Sequence, residues 1–251
     1  MRYVQLTVLW IILLLLSAPG MSRGSELTRA FLDGINEYKT GHYAAAVEKF
    51  SFVADNGIIN PKLFYNLGNA YLKNDELGYA ILWYERALKL TPNDPDLKFN
   101  LDHSRSLVKD INEDKKGLVF QILFFWKHLL SAGSIQWTAI ILNGVFWILL
   151  TARLFIREKI SGMLCWIVAV LAVGFILTAV YNQYEAKYIK QAVIISKAVS
   201  VRSGLAEDAT ELFILHAGTK VDVKKEYKGF LRIYFSNGKI GWLKNSDAVL
   251  I

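Results

Sequence analysis

Apolar and polar positions along this chain change rhythm several times, and each rhythm predicts a different element. Residues 3–16 are apolar except for Gln5 and Thr7. From about residue 27 to 111, apolar residues recur at helical spacing. Residues 129–152 and 160–184 contain no Asp, Glu, Lys or Arg. Each of these exceeds the roughly 20 residues that an α-helix needs to cross a bilayer core. Beyond residue 190, short runs rich in Val, Ile and Phe alternate with turns, the pattern of half-buried strands.

The two uncharged stretches, with spans predicted at 133–153 and 160–182, read as a membrane hairpin. The soluble parts on either side must then share one side of the membrane. The start of the chain suggests which side. Arg2 is followed by the apolar run and by Ser17, Ala18, Pro19 and Gly20, the layout of a secretory signal cut after Gly20. An uncleaved anchor would translocate the same residues. Arg153, Arg157 and Lys159 lie between the spans, as the positive-inside rule expects of a cytoplasmic loop. Lys115, Lys116 and Lys127 precede the first span on the outer side and reduce that asymmetry. Both soluble parts are therefore expected outside the cytoplasm.

At an offset of 34 the first soluble part repeats itself: Gly34 with Gly68, Ala46 with Ala80, Phe50 with Tyr84. That period, with small and aromatic residues at fixed places, resembles the tetratricopeptide repeat. The second copy carries Phe64, Leu67, Gly68 and Tyr71, then Ala80, Tyr84, Ala87 and Pro92. The small residues are expected where antiparallel helices cross closely. Asn60-Pro61 and Asp94-Pro95 predict helix starts, each a capping side chain followed by a proline at the first helical position. The reading gives a repeat domain over 25–113, with copies at 27–60 and 61–94 and a capping helix at 95–113. Asn66, Asn69 and Lys73 fall on one helix face and are candidates for gripping a partner peptide. Two repeats are fewer than the three or so that usually make a stable array, so a partner or self-association is one remedy beside the capping helix.

Residues 118–130 are apolar and aromatic, with Phe120, Phe124, Phe125 and Trp126 beside Lys127 and His128. This predicts an interfacial helix. Asn143, inside the first span, is placed to hydrogen-bond another helix, either in this hairpin or in a partner.

In the last 62 residues the strand runs are 192–196, 212–215, 220–224, 230–235, 239–243 and 249–251. Leu231, Ile233 and Phe235 alternate with Phe230, Arg232 and Tyr234, and Asn237-Gly238 marks a hairpin turn. Five or six short strands imply a small barrel over 190–251. The residues Val201-Arg202-Ser203-Gly204, Leu212-Phe213, Gly218-Thr219-Lys220-Val221 and Gly238-Lys239-Ile240-Gly241-Trp242 resemble the bacterial SH3-like family in order and spacing. Phe230 stands where that family often has Trp, and Leu205 where it often has Pro. Phe230 and Trp242 are candidates for contact with a protein or cell-wall peptide.

Composition sharpens the picture. The chain of 251 residues is 53% apolar with formal net charge +7. The repeat region is nearly neutral, so much of the basic excess flanks the spans or lies in the last domain. This reads as orientation and contact with the lipid bilayer, and not as a nucleic-acid surface. The single cysteine, Cys165, lies in the second span and cannot pair within the chain. His42, His103, His128 and His216 are scattered, and no phosphate-binding glycine loop or G-x-S-x-G is present. The expectation is no enzyme, no metal and no cofactor.

The order of signal, short repeat array, two-span hairpin and terminal SH3-like module resembles the BatE proteins of bacterial aerotolerance operons. The resemblance implies an inner-membrane protein acting with membrane-anchored von Willebrand-type proteins in oxygen tolerance and envelope stress. Two functions follow. One is a scaffold whose modules bind protein partners. The other is a tether whose SH3-like module contacts peptidoglycan.

Overall fold

A computed structural model of the chain describes residues 20–110, 124–155, 162–206 and 208–251. Residues 1–19 of the expected signal segment and 118–123 of the expected interfacial helix lie outside the described residues, as do Arg157 and Lys159.

Five helices open the described chain: α1 (Gly20–Lys39), α2 (Tyr43–Asp55), α3 (Pro61–Lys73), α4 (Leu77–Leu90) and α5 (Pro95–Ser106). Their starts are set locally. Asn60 Oδ1 accepts the Lys62 and Leu63 backbone N–H groups at 2.9 and 3.3 Å, and Asp94 Oδ1 accepts that of Leu97 at 3.0 Å. Each satisfies helix-end donors that have no partner within the helix. The two copies cross in the same way. A Cβ on Gly34 would lie 2.7 Å from the Phe50 ring, and one on Gly68 would overlap the Tyr84 ring. Buried Phe50, Leu63, Leu67, Ile81, Tyr84, Leu97 and Leu101 fill the space between helices. The last helix closes at Ser106, short of the residue 113 expected. Residues 107–110 continue as turns, from which Val108 still reaches the array's core.

After the undescribed connection come α6 (Trp126–Leu129), α7 (Ala132–Phe155) and α8 (Gly162–Tyr188). α7 and α8 are each long and apolar enough to cross a membrane. They pack against one another along a seam that includes Ile135, Ala139, Cys165 and Ala172, all buried, while many large apolar side chains face outward. Trp126 of the expected aromatic belt turns onto α8. It stacks on Phe175 (5.1 Å between ring centroids) and its Nε1 donates to Thr178 Oγ1 at 3.1 Å. Lys127 pairs with Glu185 and covers the Tyr181 ring.

The C-terminal part is a seven-stranded antiparallel sheet: β1 (Lys190–Ile194), β2 (Ala198–Arg202), β3 (Glu211–His216), β4 (Lys220–Tyr227), β5 (Phe230–Phe235), β6 (Lys239–Lys244) and β7 (Ala248–Leu250). The strand order is β3-β2-β6-β5-β4-β1-β7. The strand absent from the sequence reading is β2. Its two inward residues, Val199 and Val201, are too short an alternation to stand out among Ala198, Ser200 and Arg202. Asn237 and Gly238 both take positive φ, 58° and 78°, the turn that matches the strands' right-handed twist. Ile194, Val201, Leu215, Leu231, Ile233 and Phe235 are among the residues of a separate core.

Candidate interaction site

The outer faces of the two domains bring several polar and aromatic side chains together. On α3, Asn66, Asn69 and Lys73 share a face, as residues three and four apart must. The structure gives them different work. Asn69 Oδ1 accepts the Tyr84 hydroxyl at 2.6 Å and the Asn100 amide at 3.0 Å, and Asn100 also donates to the Tyr65 hydroxyl at 2.9 Å. Asn69 therefore ties α3 to α4 and α5. Burial pushes the Tyr84 phenol well above its ordinary range, so it stays a donor. Asn66 is half-buried, and Lys73 stands exposed in the last turn.

Phe230 and Trp242 meet on the sheet. Phe230 pairs with Lys244 and Arg232 with Trp242 across β5 and β6, which places Phe230 and Trp242 on one face as diagonal neighbours. Both are half-buried and line a cleft of about 520 Å³ with Arg202, Leu205, Lys244 and Asp247. The cleft exists because β2 meets β6 at a single pair, Arg202 with Trp242, while the rest of β2 pairs with β3. Ser200 also lines it, and its buried hydroxyl has no partner among the described residues. An unpaired buried hydroxyl costs about 1–3 kcal/mol, which a bound ligand would offset.

Between these two surfaces lies a contact that sequence reasoning missed. The sheet docks on α4. Gly78 sits so close to β1 that a Cβ there would lie 2.6 Å from the Ile194 carbonyl oxygen and 2.8 Å from Ile195 Cα. Val193, Val249 and Ile251 pack into the core of the repeat array. Arg86 donates to the Leu250 carbonyl at 3.0 Å and Lys89 to that of Ile251 at 2.9 Å. Those bonds cover β7, an edge strand whose open backbone would otherwise invite pairing. Gly218, with φ +89°, presses against Ile81 and Val108. Gly218, Thr219 and Lys220 thus form the turn that meets the repeat.

Two carboxylates fasten this contact. Buried Glu85 receives Arg105 at 2.6 Å and Lys220 at 2.9 Å, one cation from each domain. Asp110 Oδ2 accepts the His216 backbone N–H at 2.6 Å and the Thr219 hydroxyl at 2.5 Å, with His216 Nδ1 3.0 Å from Oδ1. Burial alone would raise the Glu85 carboxyl, but Lys220 and Arg105 outweigh it and hold it below its ordinary range. Burial likewise raises Asp110, and the Thr219 and His216 hydrogen bonds more than reverse this. The partners from the sheet domain, Lys220, His216 and Thr219, lie more than 100 positions from these carboxylates, so no local pattern signals them.

A pH dependence follows. Both carboxylates bind protons less readily folded than unfolded, so their stabilisation is complete above the unfolded values of about 4. It is lost as pH falls through the depressed folded values. Hydrogen exchange of β1 and β7 amides in the full-length protein is expected to show weaker protection at pH 3 than at pH 6. Glu85→Gln together with Asp110→Asn should flatten that difference.

Comparison with known proteins agrees with the repeat geometry. The tetratricopeptide repeat family model matches residues 61–94. Residues 61–94 are a tetratricopeptide repeat. Such repeats are protein–protein interaction modules, and the Gly34–Phe50 crossing shows that α1 and α2 repeat the geometry of α3 and α4. No curated protein matches the chain.

Proposed function

We propose that this protein is a non-enzymatic scaffold of the bacterial inner membrane. In this reading α7 and α8 anchor it, and the tetratricopeptide array and an SH3-like sheet domain face the periplasm. The array's α3 face and the Phe230–Trp242 cleft receive protein partners, and the BatE resemblance implies membrane-anchored von Willebrand-type proteins of an aerotolerance or envelope-stress complex. The observation that carries the reading is the docking of the sheet on α4. The two domains flank the apolar hairpin in sequence and touch in space, which supports a chain that crosses a bilayer and returns to the same side. A second reading, a peptidoglycan tether, draws on the orphaned Ser200 hydroxyl in the cleft.

Purification of the full-length protein in mild detergent tests the choice. The scaffold predicts co-purifying membrane proteins, and Lys73→Glu should reduce their recovery by about tenfold, the loss of one interface contact worth roughly 1.4 kcal/mol. Recovery unaffected by Lys73→Glu, with retention on insoluble cell wall that Trp242→Ala abolishes, would overturn the scaffold in favour of the tether.

A further inference from the structure

One face of α7 carries polar groups where α8 gives them nothing. Ile135 and Ala139 point into the seam with α8. Around the helix from that seam, Gln136, Ile140, Asn143, Trp147, Leu150 and Leu154 follow one another at alternating steps of four and three, the spacing of a helix-pairing stripe. Ile140, Trp147 and Leu154 are 60%, 57% and 77% exposed, and Asn143 is exposed near the middle of the helix. Exposure alone does not single out this stripe, because Ile141 and Ile148 on another face are as open. The amides do. Gln136 and Asn143 lie one heptad apart on it, and neither side chain has a hydrogen-bond partner among the described residues.

We infer that this stripe pairs with the same stripe of a second copy of the protein, through Asn143 opposite Asn143. The inference rests on the membrane-spanning reading of α7. Copies inserted in one membrane share their orientation, so a two-fold axis along the bilayer normal sets each residue opposite itself at equal depth. A charged group fails that test, because it repels its own copy. A carboxamide holds both a donor and an acceptor and satisfies its copy. In lipid, such interhelical hydrogen bonds supply association that apolar contact does not.

The test uses full-length protein in membrane vesicles, with Cys165→Ala so that each variant has a single cysteine. Ile140→Cys and Trp147→Cys are expected to cross-link two copies, and Ile141→Cys and Ile148→Cys are not. Adding Asn143→Leu should lower association roughly 3- to 30-fold, the range of such bonds in bilayers. Membrane-integrated protein that yields no homodimer, or yields it equally from the 141/148 face, overturns the inference. So does a product joined to another protein, or to the apolar 3–16 segment within one chain. Protein washed from the vesicles by alkaline carbonate would overturn the membrane reading itself.

Discussion

Tyr84→Ala is expected to destabilise the repeat array by about 3–5 kcal/mol, the range for removing a large buried aromatic. Tyr84 is fully buried. Its ring occupies the space that Gly68 leaves on α3, it lies 6.1 Å from the Tyr65 ring, and its hydroxyl donates to Asn69. Domains are stable by only about 5–15 kcal/mol, and two repeats with one capping helix hold little in reserve. Amides of α3 and α4 in the full-length protein should exchange at least about 100-fold faster, since each 1.4 kcal/mol is tenfold. Tyr84→Phe separates the two contributions. It keeps the ring and removes the hydroxyl, while Asn69 still receives Asn100, so its cost should be near 1 kcal/mol. Equal effects of the two variants would show that ring packing does not hold the crossing together.

Gly78→Val is expected to undock the sheet from the repeat while leaving each folded. Valine is the better helix residue by a few tenths of a kcal/mol. Its side chain, however, would start 2.6 Å from the Ile194 carbonyl oxygen and 2.8 Å from Ile195 Cα. Both are backbone atoms, which cannot turn aside as a flexible side chain would, and forcing extra volume into a tight contact costs about 1–3 kcal/mol or more. The clash therefore outweighs the propensity gain. Protection should fall at β1, which Gly78 abuts, and at β7, whose end Arg86 and Lys89 cover, and stay level in α3. Loss of protection throughout α3 and α4 would mean that the contact holds up the repeat itself. No change anywhere would mean that α4 and β1 are not so close.

How much was legible beforehand follows from how local each signal is. Asn60-Pro61 and Asp94-Pro95 announce helix starts because a cap and a proline act within one turn. Gly68 and Tyr84 announce a crossing because their spacing belongs to a repeat that the tetratricopeptide model recognises. Phe230 and Trp242 are legible as candidates for contact, and only the β5–β6 register sets them on one face. The cleft they line depends on β2 diverging from β6, and β2 has too few inward residues to stand out in the sequence. Asn69 is legible as a residue of the α3 face and its partners are not, because a helix pattern shows direction and not contacts. The structure gives its oxygen to Tyr84 and Asn100. The docking contact was invisible for the same reason. Glu85 reads as one more polar residue on a helix until Lys220, 135 positions away, arrives beside it. Gly218-Thr219-Lys220 reads in sequence as a motif of the sheet domain, yet each of the three touches the repeat domain.

The central claim is that the repeat and the sheet are docked on the outer side of a two-span anchor. Single cysteines at Lys73, Lys225 and Phe155, in a Cys165→Ala background, test it with a membrane-impermeant thiol reagent. Lys73 and Lys225 are exposed in the two domains, and Phe155 is 83% exposed at the end of α7. In intact cells with a permeabilised outer membrane, positions 73 and 225 should both label, and position 155 only after lysis. Labelling of 73 and 225 from opposite sides of the membrane would contradict the account.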